Sequence, residues 1–482
     1  MYERLSCHAA VFGSDIWRKD GECVGTSTGR YAFRRPEANA VMRKIADQNR
    51  DARDGSCGKN SKAVTVGALV TLTSKDAGGR AVDQLEGIAA AQAKANEDKA
   101  NCSHPVRVRV GQMGASEQAA ASVARLLADD GVVGVVGMGL SFQQSADAAQ
   151  VLAARHIPMV APVITAEGFD KNGSADDRPD FRGCNPGATY KNGVGQGFFY
   201  RVAYRNAVQI DRLAEFFKPN KNRVNFIMTP VTMDDPYTCT ALPLMHRRFG
   251  NVQEVRFDPS DPTTVRQSAQ RICSSPGTVN VLYAARARDL PTFLTKTADL
   301  SANGQCQFSS ITVMSTSDAA RMRSQETDTD VEQQRNAALN ATMFRNGKVR
   351  LVYTPLADPD LLARSNSPTF AGLRQKFADL GFAAAHLDSG WAINGYDAML
   401  TVATALNSLS AGQKVTPTEV NTAIGGFSKG GQSVAGAGGN ITFDNNGNRD
   451  DSAPAVVRLC PAKTPGQAPQ TVQFLSGNEK CP

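Results

Sequence analysis

The chain reads as an α/β protein of two Rossmann-like lobes, each built on a parallel sheet, and three observations support this. Gly131 to Thr165, GVVGVVGMGLSFQQSADAAQVLAARHIPMVAPVIT, spells a strand (Val132 to Val136), a glycine loop, a helix, and a second strand opened by Pro158. Its near-continuous apolar strand is what a parallel sheet covered on both faces requires. Strands then alternate with helices in two consecutive sets, on either side of a polar stretch from Glu167 to Gly197. Finally, 482 residues are too many for one ordinary core and suit two. Open α/β sheets bind ligands at the carboxyl ends of their strands, so Met138 to Ser145 and Val163 to Gly168 are expected to line a site.

Taken in order, residues 1–60 are polar and glycine-rich, and read as an irregular extension with one helical pattern, Ala38 to Asn49. The first set runs from a strand ending near Thr71, through the loop SKDAGGR, to a helix over Val82 to Asn96. A strand at Val106 to Val110 and a helix at Ser116 to Asp129 lead into the segment above. The second set has strands at Val224 to Met228, Val252 to Phe257, Val279 to Tyr283, Ile311 to Met314 and Val349 to Tyr353. Asp261-Pro262 opens one of its helices with a capping residue and Pro at N1. Helices at Thr369 to Leu380 and Trp391 to Leu409 follow, then short strands at Ile441 to Phe443 and Ala455 to Leu459. The thirty-odd residues from Glu167 to Gly197 carry no element of their own, which marks them as a functional or mobile loop.

Composition narrows the function. No apolar run approaches the roughly 18 residues of a membrane span. The net charge of +7 is dispersed, with no basic block longer than Arg34-Arg35 or Arg247-Arg248, which argues against a nucleic-acid partner. Ten cysteines include no C-x-x-C pair, and the five histidines are scattered, so no metal site is expected. Cys273 and Cys306 each precede a strand, as do Cys57 and Cys102, which puts each pair at one sheet edge. Cys7 with Cys23 and Cys460 with Cys481 close terminal loops, leaving Cys184 and Cys239 near the ligand edge. Five disulfides imply an extracytoplasmic protein. MYERLSCHAAVFGSD lacks the features of a signal peptide, so a leader or anchor is expected upstream of this sequence.

The same residues resemble a known family. The segment from Gly131 to Thr165, with AVTVGALVTLT, QLEGIAAAQAKAN, FFYRVAYRNAVQ, VNFIMTPVTMDDPY, VNVLYAARARDL, WAINGYDAMLTVATAL and GNITFDNNGN, is similar to type I periplasmic binding proteins. These are the substrate-binding components of branched-chain amino-acid ABC transporters and their receptor relatives. ECVGTSTGRYAF resembles extensions on actinobacterial members. The resemblance spans about residues 62 to 460 and implies two lobes joined by a hinge that the chain crosses three times. It places one lobe at 62–203 plus 354–438 and the other at 204–353 plus 439–462, between an extension at 1–61 and a tail at 463–482. Ligand is then expected between the lobes, with closure about the hinge.

By the same resemblance, Ser141, Phe142 and Gln143 occupy the loop that grips a ligand carboxylate at a helix N-terminus, where unpaired N–H groups favour anions. Ile164 and Thr165 form the next loop, Tyr237 covers the ligand from the second lobe, and Trp391 lies over its side chain. Asp318 is the candidate partner of an ammonium group. Ala285 and Arg286 replace a frequent aromatic, which favours an anionic or polar ligand. No cofactor is implied. The expected partners are a small-molecule ligand and either an ABC permease or a membrane-fused signalling domain. An enzyme is disfavoured. Gly137-x-Gly139 lacks the third glycine of a dinucleotide loop, GTSTG and GFSKG sit on no strand-to-helix turn, and Asp234 and Asp235 read as solvation or capping. A sensing ectodomain, or a cleft that has lost its ligand, is the alternative to a transport component.

Overall fold

The computed structural model describes residues 7, 15–58, 60–98, 102–175, 179–217, 223–250, 252–462, 464, 468–475 and 479–482. Its first sheet contains β1 (Ile16–Lys19), β2 (Glu22–Ser27), β3 (Val64–Val70), β4 (Val106–Gln112), β5 (Gly134–Val136), β6 (Met159–Ala161) and β7 (Phe199–Arg201). The order is β1-β2-β4-β3-β5-β6-β7, parallel from β4 to β7. Buried side chains on both faces explain why β5 is apolar throughout and β3 apolar but for Thr65.

The chain then passes to a second sheet through β8 (Phe226–Pro230), β9 (Gln253–Phe257), β10 (Gly277–Tyr283), β11 (Phe308–Ser315) and β12 (Val349–Tyr353), all parallel. It returns to the first lobe, where the helix Trp391–Asn407 packs on β5, β6 and the helix Arg80–Glu97, followed by the ribbon β13 (Val434–Gly436) and β14 (Gly439–Ile441). A third passage brings β15 (Val457–Cys460) and β16 (Gln470–Gln473) antiparallel onto β12, giving β16-β15-β12-β11-β10-β8-β9. Each lobe therefore has its own sheet and its own buried core, and the two are joined by three chain crossings.

The helices Arg80–Glu97 and Trp391–Asn407 approach so closely that a Cβ on Gly87 would overlap the Ala392 carbonyl, and one on Gly395 the Gln84 carbonyl. This contact seats Trp391 beside Arg80. Several connections differ from the sequence expectation. The amino-terminal segment is not irregular, because β1 and β2 form a hairpin that extends the first sheet alongside β4. ECVGTS offers only two apolar side chains, and the β4 ladder supplies the order that its pattern lacks. The strand expected at Ile441 to Phe443 lies instead at Gly439–Ile441, and the tail supplies β16. The stretch from Glu167 to Gly197 is not structureless: it holds the turns Tyr190–Asn192 and Gly195–Gly197 and buries Phe169, Tyr190 and Val194.

All ten cysteines are paired, as Cys7–Cys23, Cys57–Cys102, Cys184–Cys239, Cys273–Cys306 and Cys460–Cys481. No helix among the described residues is long and apolar enough to cross a membrane. Titration of the denatured, non-reduced protein with a thiol reagent is expected to find no reactive cysteine. Stoichiometric labelling of any pair would contradict the bridging.

Candidate functional site

The loop after β5 begins with three residues of positive φ, Gly137 (+96°), Met138 (+66°) and Gly139 (+70°). Glycine is required first, since a Cβ on Gly137 would overlap the Leu69 carbonyl of β3. The helix Gln143–Ala153 follows, with Phe142 as an extended N-cap (φ −120°, ψ 159°) whose side chain caps nothing. This helix start thus has no side-chain acceptor of its own and faces the lobe boundary. Ser141 and Thr165 are brought together: the Thr165 and Ala166 N–H groups donate to Ser141 Oγ at 3.2 and 3.3 Å. The hydroxyl therefore ties the two ligand-edge loops to one another. Ile164 lies beneath them, fully buried. Gln143 turns away, donating to Asp147 and Thr189 at 2.7 and 2.6 Å and accepting from the Thr189 N–H at 2.9 Å.

The opposite wall starts at the helix Pro236–Phe249, whose N-cap is Asp235, as the capping reading of that residue anticipates. Arg286, which follows β10, donates to Asp235 Oδ1 from Nη2 at 2.8 Å and from Nε at 3.2 Å. Its guanidinium stands 4.6 Å from the Phe142 ring and 5.3 Å from the Tyr237 ring. It also crosses the boundary, donating to the Ser141 carbonyl at 3.2 Å. Burial opposes its charge, but Asp235, Asp76 and Asp318 outweigh that and hold it cationic. The Tyr237 hydroxyl is hydrogen-bonded to Thr316.

Asp318 is partnered by a residue that the sequence did not single out. Arg80 of the first lobe, with none of its side chain exposed, donates to Asp318 Oδ1 at 2.9 Å, and the Ala287 N–H donates to Oδ2 at 2.7 Å. Burial pushes the Asp318 carboxyl upward, but Arg80 and then Arg286 reverse this, leaving it below its ordinary range. Trp391 lies against the other face of this pair, its ring 4.6 Å from the Arg80 guanidinium. A third arginine, Arg321 of the second lobe, donates to the Lys75 and Asp76 carbonyls at 3.0 and 3.2 Å and to Glu326 at 2.6 Å. The lobes are also joined covalently, because Cys184 lies in the loop between β6 and β7 and Cys239 in the helix Pro236–Phe249. Nearby, the Glu167 N–H donates to Thr240 Oγ1 at 3.2 Å.

Seven of the nine expected positions thus gather along one interlobe seam, while Ile164 lies beneath it in the first lobe's core and Gln143 faces away. Arg80, Thr316 and Arg321 share that seam but went unnoticed, and Asp235 was read only as a cap or solvated acid, since only the fold brings these loops together. Glu117 was also missed. It is fully buried, accepts from the Leu140 N–H at 2.6 Å, and touches the Ser145 hydroxyl, which also reaches the Leu140 carbonyl at 2.7 Å. One Ser145 proton cannot serve both oxygens. A protonated Glu117 resolves this by donating to Ser145 Oγ while Ser145 donates to Leu140. Consistently, burial lifts its pKa to about 7 against the lowering by Ser145 and Leu140.

No family model matches this chain, and no curated protein does. Solved structures do, and what they share with this chain is the fold: the two-lobed architecture of the type I periplasmic binding proteins. The branched-chain amino-acid substrate-binding protein LivJ of Streptococcus pneumoniae, in complex with isoleucine, is 13% identical with a TM-score of 0.58, the alignment covering 86% of this chain and 100% of that one. The leucine-binding protein LivK of Thermotoga maritima is 16% identical over 86% and 99%, with a TM-score of 0.58. A solute-binding protein of R. palustris in complex with 4-hydroxybenzoate is 12% identical over 86% and 97%, with a TM-score of 0.59.

The Glu117 geometry has a measurable pH signature. A carboxyl whose folded pKa is raised to about 7 contributes most stability below the ordinary value near 4.5, and loses it as pH rises through about 7. Glu117→Gln mimics the protonated form, so it is expected to stabilise the protein at pH 8 by on the order of 3 kcal/mol. At pH 5 it should change little. Urea unfolding at both pH values checks this, and an equal or lower stability at pH 8 would contradict it.

Proposed function

We propose that this chain is a solute-binding protein whose interlobe seam captures a small carboxylate, delivering it to an ABC-type permease. The hinge would lie at the junctions 203/204 and 353/354 and at a third passage after Phe443, because Ile441 and Phe443 still pack in the first lobe's core. The observation that carries the reading is the pairing of an uncapped helix start, after Phe142, with the Arg286 guanidinium across the boundary. Both attract the same anion, one through unpaired N–H groups and the helix dipole, the other through a bidentate fork. An entering carboxylate would compete with Asp235 for Arg286, and the Phe142 and Tyr237 rings would flank it.

Asp318 refines the ligand class. Its charge is met by Arg80 and its second oxygen by Ala287, so it does not await a ligand ammonium. This favours a simple or aromatic carboxylate over an α-amino acid. The neighbours with bound isoleucine and 4-hydroxybenzoate support a carboxylate in general. The seam's buried acids are committed to arginines, which supports binding rather than catalysis. The five disulfides support an extracytoplasmic location, in which the same cleft could equally serve a sensing ectodomain. A second reading, a cleft closed on itself without solute, is favoured by the three arginines that already bridge the lobes.

A thermal-shift and calorimetric panel of benzoates, aliphatic carboxylates, branched-chain amino acids and sugars separates these readings. At 100-fold excess over Kd, a true ligand stabilises by about 2.7 kcal/mol. Carboxylates are expected to score, and Arg286→Ala should weaken them by about tenfold or more. The double substitution Ser141→Ala with Thr165→Ala should abolish the response. A panel without a single response would leave the self-closed cleft as the better account.

A further inference from the structure

At another part of the lobe boundary, the helix Arg80–Glu97 carries Asp83 and Glu86 three residues apart, on one face. The short turn Ala384–Leu387 packs on that face and brings in His386, whose Nδ1 is 2.6 Å from Glu86 Oε2 and 3.8 Å from Asp83 Oδ1. One donor atom from each of the three lies within 4.8 Å of the others. Donors on an ion at about 2.1 Å stand roughly 3.4 Å apart, so small side-chain rotations close this set.

A second observation points to a missing cation. The Asp83 side chain is only 9% exposed, yet no N–H or O–H among the described residues donates to its carboxylate; His386 and Arg80 are cationic neighbours, while Glu86 and Asp388 add negative charge beside it. A carboxylate buried to that degree without a hydrogen bond is costly, and a bound cation removes the cost. Asp83 and His386 line a cavity of about 670 Å³, whose far wall includes Glu326 of the second lobe. Oε1 of Glu326 is likewise buried and without a hydrogen-bond partner.

We propose that Asp83, Glu86 and His386 are the protein ligands of a divalent first-row transition ion, with open coordination positions facing this cavity. An imidazole with two carboxylates suits Zn²⁺ or Mn²⁺, whereas Ca²⁺ and Mg²⁺ take oxygen shells. The ion replaces the proton that bridges Nδ1 and Glu86. Free cysteines do not compete, since all are in disulfides. Spacing rules could not reveal the site, because Glu86 and His386 are 300 positions apart in the chain.

The test uses the full chain, stripped with a chelator and dialysed separately against ZnCl₂, MnCl₂ and CaCl₂, then assayed by elemental analysis and titration calorimetry. About one equivalent of zinc or manganese per chain is expected, with a raised Tm. His386→Ala and Asp83→Asn should each weaken binding by about tenfold or more. His386 is 41% exposed, so its replacement leaves the core intact, and His246→Ala, which removes the histidine paired with Glu254, should leave affinity unchanged. Failure of the wild type to take up zinc or manganese, uptake of calcium alone, or unchanged affinity in the His386 and Asp83 variants would each overturn the assignment.

Discussion

Arg80 has no exposed side-chain surface, and the carboxylate that answers its charge belongs to the other lobe. A buried guanidinium left without its anion is strongly destabilising, on the order of 3–5 kcal/mol, whereas the intact pair is close to neutral. Separating the lobes therefore costs that penalty unless water reaches Arg80 as they part. The remaining guanidinium nitrogens hold the Ala77 and Asp76 carbonyls at 3.1 and 2.7 Å, so the loop after β3 moves with the arginine. Arg321 grips the same loop from the second lobe. Together with the Cys184–Cys239 bridge, these contacts favour the closed arrangement before any solute is considered.

That bias sets the terms on which a ligand would bind. A solute that enters through a minor, more open population has its apparent affinity reduced by the fraction of molecules in that state. It must also displace Asp235 from Arg286, a partly buried pair at 2.8 Å. The proposed carboxylate meets this requirement because it supplies the same charge in the same geometry. An ammonium group has no such vacancy to fill, since Asp318 is already held by Arg80 and Ala287.

The architecture was legible in the sequence because its signal is local and repeated. β3, β5 and the second half of β10 are largely buried and mostly apolar, and Asp261-Pro262 marks its helix start without tertiary help. The hairpin β1–β2 and the strand β16 were not legible, since each is short and ordered by an edge strand already in place. At the candidate site, the family resemblance points to Ser141, Thr165, Tyr237 and Trp391 through their place in the strand–loop–helix order. It does not point to their hydrogen-bond partners. Arg286 and Asp318 both carry buried charge, but each is paired with a residue, Asp235 or Arg80, that only the fold brings near. Glu117 gave no signal at all, because its role depends on complete burial beneath a loop of positive-φ residues.

The closed arrangement is best tested by the distance distribution between paired spin labels, one on each lobe, in the solute-free protein. A single narrow population is expected for the native chain, and a broader one extending to longer distances for Asp318→Asn, which leaves Arg80 without its anion. A native chain that already shows a broad, open distribution would contradict the account.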